Sequence, residues 1–336
     1  AQTGKFYSTD KELSNSLINA VYQDRKGFIW IATEYGLNRF DGYTFKVFRN
    51  DPDVPESLGN NWITHLDCDR DGNLWVGTLS GLYQYNEAKE SFLHVPFTKN
   101  KGIDLFRFDK NNQLWLLMDG TLIQYNVSDG QFHIFAGNNG QTYTSFCIMA
   151  DNSLWLGDSE GFISLLNPED GSLESHNLFA HSPATTSRKL SMLSPSPSSA
   201  NIYVAFEHDD VKIFNVLSKT YQDLNIQEKN QLTILINCFL EKNQKELWIG
   251  TDSGLFIYDL DLGTCKRIRQ DPLDPYALSS HFVSALFKDR EDGVWICFHQ
   301  NGVNYYSPFR PFNVYYPWNE THSLKGEVIR DICTDI

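Results

Sequence analysis

The chain repeats one pattern seven times. Each copy holds an apolar run, a polar turn and an aromatic anchor, and most copies then have a glycine before a second apolar run. Successive anchors lie 40 to 48 residues apart, by subtraction of their positions. The anchors are Trp30, Trp75, Trp115, Trp155, Tyr203, Trp248 and Trp295. A repeat of this length made of short strands is typical of a β-propeller, in which each copy forms one blade. The sequence therefore predicts an all-β, seven-bladed propeller of four-stranded antiparallel blades.

The two ends of the chain predict how the ring closes. Residues 282–289, 293–298 and 302–307 supply three strands after the sixth repeat, and residues 5–8 (KFYS) form a strand that belongs to no copy. Placing residues 5–8 as the fourth strand of blade seven removes the exposed sheet edges that invite association. The propeller is therefore predicted to span residues 1–310.

The last residues resemble the first. Residues 312–335 follow the same order of aromatic, leucine and apolar pairs as residues 6–24. Residues 311–336 are therefore predicted to begin a second propeller, of which the chain holds only the start.

The fifth copy departs most from the pattern. Tyr203 takes the place of Trp, and no glycine precedes its third strand. Residues 194–199 (SPSPSS) lie just upstream, and their Ser and Pro content favours a turn. We expect a flexible hairpin tip there.

Composition limits the partners. The formal net charge is −14, so long-range repulsion disfavours nucleic acid and anionic lipid as partners. No apolar run approaches 18 residues, which a membrane-spanning helix needs.

Metal and cofactor chemistry is not indicated. The six cysteines form no Cys-x-x-Cys pair and no zinc spacing with histidine, and most lie in apolar runs typical of buried thiols. The segment from Asp69 to Asn73 looks like part of a calcium loop. It lacks the glutamate at the twelfth position, and it recurs as a blade hairpin. No cofactor, no metal site and no catalytic motif is expected.

Three repeats carry a resemblance to a known family. Residues 24–41 (DRKGFIWIATEYGLNRFD), 71–86 (DGNLWVGTLSGLYQYN) and 246–259 (ELWIGTDSGLFIYD) resemble the two-component regulator propeller repeat. The resemblance implies an N-terminal sensor propeller of a hybrid two-component histidine kinase of the Bacteroidetes type. It implies a periplasmic location outside an inner membrane, with a second propeller, a β-sandwich and a membrane helix elsewhere in the same chain. It further implies a homodimer that responds to oligosaccharides from polysaccharide breakdown and regulates glycan-utilisation genes.

Two long connections suggest where a ligand would bind. Residues 50–61 and 270–280 each join the outer strand of one blade to the inner strand of the next, and loops on a rigid scaffold commonly carry function. We expect these loops to lie on the same face as the turns between second and third strands. The candidate ligand contacts on that face are Trp62, Tyr35, Glu34, His65, His281 and His299. Trp62 stands outside the anchor register, so its ring is free to stack on a sugar. For Trp62 and the histidines, structural packing is the alternative.

The favoured interpretation of the sequence is a non-catalytic ligand sensor. A propeller-fold glycosidase or lyase is one alternative, since fold does not fix function, and a glycosidase would need two converging carboxylates. A protein-interaction scaffold is the other, and an exposed apolar patch would favour it.

Overall fold

The computed structural model describes residues 4–7, 13–137, 141–179, 188–207, 211–226, 234–271 and 277–307, with the backbone alone for residues 4–7. Seven antiparallel sheets of four strands surround one channel. In the part of the chain described, no helix has the length and apolarity to cross a membrane.

The strands follow the repeat in order. Blade one contains β2 (Ile18–Gln23), β3 (Ile29–Thr33), β4 (Gly36–Phe40) and β5 (Phe45–Phe48). Blade two contains β6 (Ile63–Cys68), β7 (Leu74–Thr78), β8 (Gly81–Asn86) and β9 (Ser91–His94). Blade three, preceded by a short 3-10 helix (Pro96–Thr98), contains β10 (Leu105–Phe108), β11 (Gln113–Met118), β12 (Thr121–Asn126) and β13 (Phe132–Phe135). Blade four contains β14 (Tyr143–Ile148), β15 (Leu154–Asp158), β16 (Phe162–Leu166) and β17 (Leu173–Asn177).

The second half of the ring repeats this order. Blade five contains β18 (Leu190–Pro195), β19 (Asn201–Phe206), β20 (Val211–Asn215) and β21 (Thr220–Asp223). Blade six contains β22 (Ile236–Asn243), β23 (Glu246–Thr251), β24 (Gly254–Asp259) and β25 (Thr264–Ile268). Blade seven contains β26 (Val283–Lys288), β27 (Val294–Phe298), β28 (Val303–Tyr306) and the N-terminal β1 (Gly4–Tyr7). The predicted seven-bladed, all-β architecture is confirmed.

The N-terminal strand closes the ring as predicted. β1 pairs antiparallel with β28, so Phe6 lies opposite Asn304 and Tyr7 opposite Val303. The strand begins one residue earlier than the sequence suggested. The predicted second propeller at residues 311–336 lies outside the described residues.

The aromatic anchors form the inter-blade core. All seven are at most 4 % exposed, because each lies on the second strand of its blade, which is covered on both faces. In four blades the anchor indole N–H also donates to the Asp six residues earlier, at 2.7 to 3.1 Å. In blade two that Asp is Asp69, whose other oxygen accepts the backbone N–H groups of Asp71 and Asn73. The hairpin and the anchor therefore engage both oxygens of Asp69.

The turn before the anchor of blade five is packed, so its prediction as a flexible tip is wrong. β18 runs through Pro195, and Ser196 is only 1 % exposed. The Ser196 hydroxyl donates to Glu241 Oε2 of blade six at 2.5 Å, and the backbone N–H groups of Ser198 and Ser199 donate to Ser196 Oγ. Composition favoured a turn, but the carboxylate that fixes it comes from another repeat.

Candidate functional site

The turns between second and third strands share one face with the connections between blades, and we call this face the channel mouth. In blade one the backbone N–H of Glu34 donates to the Leu17 carbonyl at 3.2 Å, and in blade two that of Leu79 donates to the Trp62 carbonyl at 3.3 Å. The same link joins Ser159 to Thr142, Glu207 to Lys189, Asp252 to Leu235 and His299 to Phe282. Each turn is thus fixed to the start of its own inner strand, which confirms the predicted common face.

The connection of residues 50–61 is a built element of the mouth. The backbone N–H of Asn50 donates to Asn61 Oδ1 at 2.7 Å, and the Asn50 side chain donates to the Leu58 carbonyl at 2.6 Å, which closes the loop on itself. Leu58 is fully buried, and the backbone N–H of Phe92 donates to the Glu56 carbonyl at 2.7 Å. The loop therefore holds the start of blade two rigidly. Residues 272–276 of the second long connection lie outside the described residues.

Three exposed apolar side chains lie side by side on blades one and two. Tyr35 is 54 % exposed, Trp62 is 40 % exposed and Leu79 is 47 % exposed. The backbone N–H of Gly36 donates to the Asn61 carbonyl at 2.8 Å, which places Tyr35 next to Trp62. We call Tyr35, Trp62 and Leu79 the mouth patch. Sequence reasoning missed Leu79, although it occupies the repeat position of Glu34.

One member of the mouth patch, Tyr35, is held by a cation. The guanidinium of Arg49 lies 5.2 Å from the centre of the Tyr35 ring, and its Nε donates to the Tyr35 carbonyl at 3.2 Å. The backbone N–H of Trp62 donates to Asn60 Oδ1 at 2.8 Å. Both aromatic residues are therefore fixed at the backbone while much of each side chain remains open to solvent, as a stacking platform requires.

The other predicted contacts are distributed around the mouth. Glu34 is half-buried beside Tyr35. His281 is exposed at the start of blade seven, and the half-buried ring of His299 packs 4.8 Å from that of Phe282. His65 lines the channel below the mouth. The structure thus brings Tyr35 and Trp62 together on blades one and two. His281 and His299 lie on blade seven, which neighbours blade one. His65 lies apart from these four residues.

A ring of polar residues lines the channel just inside the mouth. In six blades the inner strand has a β-bulge after its first residue, and a bulge re-aims the residue that it contains. One polar residue per blade occupies this position or, in blade three, its equivalent, namely Asn19, Thr64, Asp104, Thr144, Ser191, Asn237 and Ser284. All of them except Thr64 line the channel. Asn19 and Asn237 each donate to the first carbonyl of the next inner strand, at 2.8 and 2.9 Å. The repeat register alone could have revealed this ring.

Deeper in the channel, a histidine, a carboxylate and an arginine interact. Burial lowers the pKa of His65 to about 3, and the nearby charge of Arg107 acts in the same direction. Burial raises the pKa of Asp67, against the opposing effect of Arg107. Asp67 Oδ2 also accepts the backbone N–H of Phe108 from blade three at 3.0 Å. His65 is therefore neutral at physiological pH, and Asp67 joins two blades.

Two carboxylates interact in blade three at the mouth. Asp104 Oδ2 accepts the backbone N–H of Asp119 at 3.0 Å, which replaces the backbone link found in six other blades. Burial raises the pKa of Asp104, the hydrogen bond from Asp119 lowers it, and the charge of Asp119 raises it again. One oxygen of this carboxylate pair, Asp104 Oδ2, is therefore already engaged by a hydrogen bond within the blade.

On the opposite face, basic side chains brace neighbouring hairpins. The Arg290 guanidinium donates to the Arg25 carbonyl at 3.2 Å, that of Arg25 donates to the Arg70 carbonyl, and Lys110 Nζ donates to the Ala150 carbonyl. These positive charges therefore join the hairpins of blades seven, one and two, and separately those of blades three and four. Blades two and three are linked by the backbone N–H of Arg70, which donates to Asn112 Oδ1 at 2.7 Å. Among the described residues, no group of His, Cys, Asp and Glu could hold a metal ion.

Two sequence comparisons agree with the repeats. A family model for two-component regulator propellers matches residues 12–35 and 57–80, at the starts of blades one and two. Over 46 residues the chain is 46 % identical to histidine kinase P4 of Formosa agariphila, a match that covers 14 % of this chain and 3 % of that protein.

Similar solved structures share the fold. The extracellular domain assigned to the hybrid two-component system BT3049 of B. thetaiotaomicron gives a TM-score of 0.78 at 22 % identity, covering 100 % of this chain and 46 % of that one. The corresponding domain of BT4673 gives 0.76 at 20 % identity, covering 91 % and 40 %. Virginiamycin B lyase of Staphylococcus aureus gives 0.71 at 11 % identity, covering 91 % and 100 %. The chain thus spans less than half of either extracellular domain.

The fold and the repeats together define the class. The chain is a seven-bladed β-propeller. Its first two blades match the family model for two-component regulator propellers.

Proposed function

We propose that this chain is the ligand-sensing propeller of a hybrid two-component histidine kinase. The observation that carries the proposal is that the whole chain superposes on part of an extracellular domain assigned to such a system, while its first two blades match the regulator propeller family. In this proposal the propeller lies in the periplasm, outside the inner membrane. Its parent protein regulates glycan-utilisation genes in response to oligosaccharides from polysaccharide breakdown.

The mouth patch is the proposed ligand surface. Tyr35 and Trp62 offer adjacent aromatic rings on a backbone fixed by hydrogen bonds, so ligand binding would order few additional groups. Glu34 lies beside them, and His281 and His299 follow on the neighbouring blade. An aromatic ring can pack against the apolar face of a sugar while amide, carboxylate and imidazole groups bond its hydroxyls. His65, which lies lower in the channel and apart from the mouth patch, is neutral, so it would serve as a hydrogen-bond partner for a ligand that reaches into the channel.

Signalling would use the ring as a rigid body. The closed sheets and the braced hairpins leave little freedom within the propeller, so a bound ligand would change its orientation relative to its partners. The partners in this proposal are a second propeller, a β-sandwich and a second copy of the full-length protein. A ligand shifts that equilibrium only by its difference in affinity for the two arrangements.

Calorimetry of the complete extracellular region against a panel of defined oligosaccharides tests the proposal. We expect one oligosaccharide to bind, and Trp62→Ala to weaken binding by a stacking contact of about 0.5–1.5 kcal/mol. Tyr43→Ala is the matched control, because Tyr43 is 93 % exposed in a hairpin on the opposite face. Binding that is unchanged by both Trp62→Ala and Tyr35→Ala would remove the mouth patch from the site.

A protein-interaction scaffold is the second candidate. Leu79 gives the mouth patch an aliphatic member, and contiguous exposed apolar residues mark protein contacts as well as ligand sites. If that role holds, Leu79→Ala will weaken association with a protein partner as strongly as Trp62→Ala, and no oligosaccharide will bind.

A glycosidase would require the Asp104 and Asp119 pair or another pair of carboxylates. Because Asp104 already accepts a structural hydrogen bond, we expect no turnover of polysaccharide by the purified chain. Turnover that is lost in Asp104→Asn, with the fold intact, would favour a glycosidase or lyase instead.

A further inference from the structure

Neighbouring blades are sealed by a cation and an aromatic ring at the first seam of the propeller. Between blades one and two, the Arg39 guanidinium lies 5.0 Å from the centre of the Phe28 ring and 5.7 Å from that of Trp30. Arg39 Nη1 also donates to the Tyr85 hydroxyl at 3.2 Å, and the Tyr85 ring packs edge-on against Trp30 at 5.0 Å. These side chains leave a hollow of about 220 Å³.

The same positions are filled differently between blades three and four. Gln124 pairs with the anchor Trp115 as Arg39 pairs with Trp30. Gln113 precedes the anchor by two residues, as Phe28 does. Leu166 of blade four takes the position that Tyr85 has in blade two. Each lies on the third strand of its blade, opposite the residue that precedes the anchor. Three large side chains are thus replaced by two glutamines and a leucine, and a cleft of about 460 Å³ remains at this seam.

The cleft has an apolar floor and a polar rim. Leu154, Leu165 and Leu166 line it together with the edge of Trp115, which is 3 % exposed. The side-chain amides of Gln113 and Gln124 form no hydrogen bond with any described residue, so both can bond a ligand. A concave site with an apolar surface and a few free polar groups is the usual form of a small-molecule site, and its volume lies within the usual range.

The charges around the cleft select against ions. No lysine or arginine is among the described residues that line it. Asp109 Oδ1 accepts the backbone N–H groups of Asn111 and Gln113, and its Oδ2 accepts the Trp115 indole N–H at 3.1 Å. Glu174 is paired with Lys219 at 3.4 Å and contacts His176 at 3.2 Å. The carboxylates are thus engaged by the protein, and the free groups are neutral amides.

We propose that the seam between blades three and four binds an uncharged polyhydroxylated ligand of one or two sugar rings. The amides of Gln113 and Gln124 bond its hydroxyls, and the leucines contact its apolar face. This site lies at the hairpin end of the anchor strand, away from the mouth patch, and it does not depend on the mouth being a ligand surface.

The test introduces the arginine and the tyrosine of the seam between blades one and two into the seam between blades three and four. Indole N–H signals of the nitrogen-15-labelled protein are recorded with millimolar cellobiose, maltose, xylobiose and mannobiose, and with digalacturonate as the anionic counterpart. We expect at least one neutral disaccharide to shift the Trp115 signal, which Trp115→Phe identifies. In the double variant Gln124→Arg with Leu166→Tyr, the affinity for the same disaccharide should fall by a factor of roughly ten or more. A tenfold loss corresponds to about 1.4 kcal/mol.

Two further variants make the result decisive. Trp62→Ala should leave the shift unchanged, which separates this site from the mouth patch. If the double variant does not fold, Gln124→Ala replaces it, since it removes one amide without adding bulk and should also weaken binding. The proposal is overturned if no neutral disaccharide shifts the Trp115 signal, if digalacturonate alone does so, or if the affinity is unchanged in the folded seam variants.

Discussion

The Tyr203 hydroxyl donates a hydrogen bond of 2.7 Å to Glu241 Oε2, which belongs to the next blade. Elsewhere the anchor is a tryptophan, and in four blades it bonds an aspartate of its own hairpin. Blade five has lost both the tryptophan and the aspartate. A glutamate of blade six restores the bond and also accepts hydrogen bonds from the hydroxyls of Ser196 and Ser198. The most divergent repeat is thus stabilised from outside itself.

Glu241→Ala should therefore destabilise the propeller. The change leaves the buried hydroxyls of Tyr203 and Ser196 without their acceptor, and each unsatisfied buried group costs about 1–3 kcal/mol. Denaturant unfolding measures the loss. Glu169→Ala is the control, because Glu169 is exposed and its side chain forms no hydrogen bond or ion pair with a described residue. An equal midpoint for both variants would show that the bond contributes nothing.

Trp30→Ala and Trp62→Ala should separate folding from binding. Trp30 is 1 % exposed, and truncating a buried tryptophan costs about 3–5 kcal/mol. Trp62 is 40 % exposed and should cost well under 1 kcal/mol, as surface substitutions do. Thermal unfolding of the two variants gives the comparison. A Trp30→Ala protein with the wild-type melting temperature would contradict the role of the anchor.

The stability of the ring should fall in acid because of His65. Its pKa is about 3 in the folded protein, against about 6.5 in an unfolded chain. Between these values the unfolded state binds more protons than the folded state. The contribution of His65 to the free energy of unfolding therefore falls as the pH drops from 6.5 towards 3, and it is constant above 6.5. Asp67 acts in the opposite sense, because its pKa is raised on folding.

His65→Gln isolates this effect. Relative to the wild type, its unfolding free energy should fall less steeply with acid, by at most about 1.4 kcal/mol per pH unit. Denaturant unfolding at several pH values between 4 and 8 supplies the slopes. Parallel curves for the two proteins would mean that His65 titrates normally when folded.

Removing the N-terminal strand should make the protein associate. Deleting residues 1–10 leaves β28 without its partner β1, and an unpaired strand edge is a template for another chain. Light scattering after size exclusion should show dimers or larger species. Deleting residues 1–3 keeps β1 and should leave the protein monomeric under the same conditions. A monomeric 1–10 deletion would show that the edge is harmless.

The repeat register made the architecture predictable. Anchors such as Trp30 recur at one position in each blade, and alternation along each strand then fixes which residues are buried. The orphan strand at residues 4–7 could be assigned because a closed ring leaves one place for it. These features depend on patterns within single repeats, which sequence reasoning reads directly.

Features that depend on two repeats were harder to predict. Glu241 fixes the turn at Ser196 from another blade, so the composition of that turn alone gave the wrong answer. The open seam results from side chains on different strands of two blades, and no single one, Gln124 included, is unusual in its own repeat. Exposure at Leu79 depends on how the neighbouring loops pack, which spacing does not reveal.

The pairing of β1 with β28 has a consequence for synthesis. β1 is made before any blade, yet its partner β28 follows some 300 residues later, as the pairing of Gly4 with Tyr306 requires. At about 5–20 residues per second, translation takes roughly 15–60 s to reach β28. During that time blades one to six can form from contacts within each repeat, while β1 waits. We therefore expect the pairing of β1 with β28 to form last. Until blade seven has been synthesised, the nascent chain should remain an open arc.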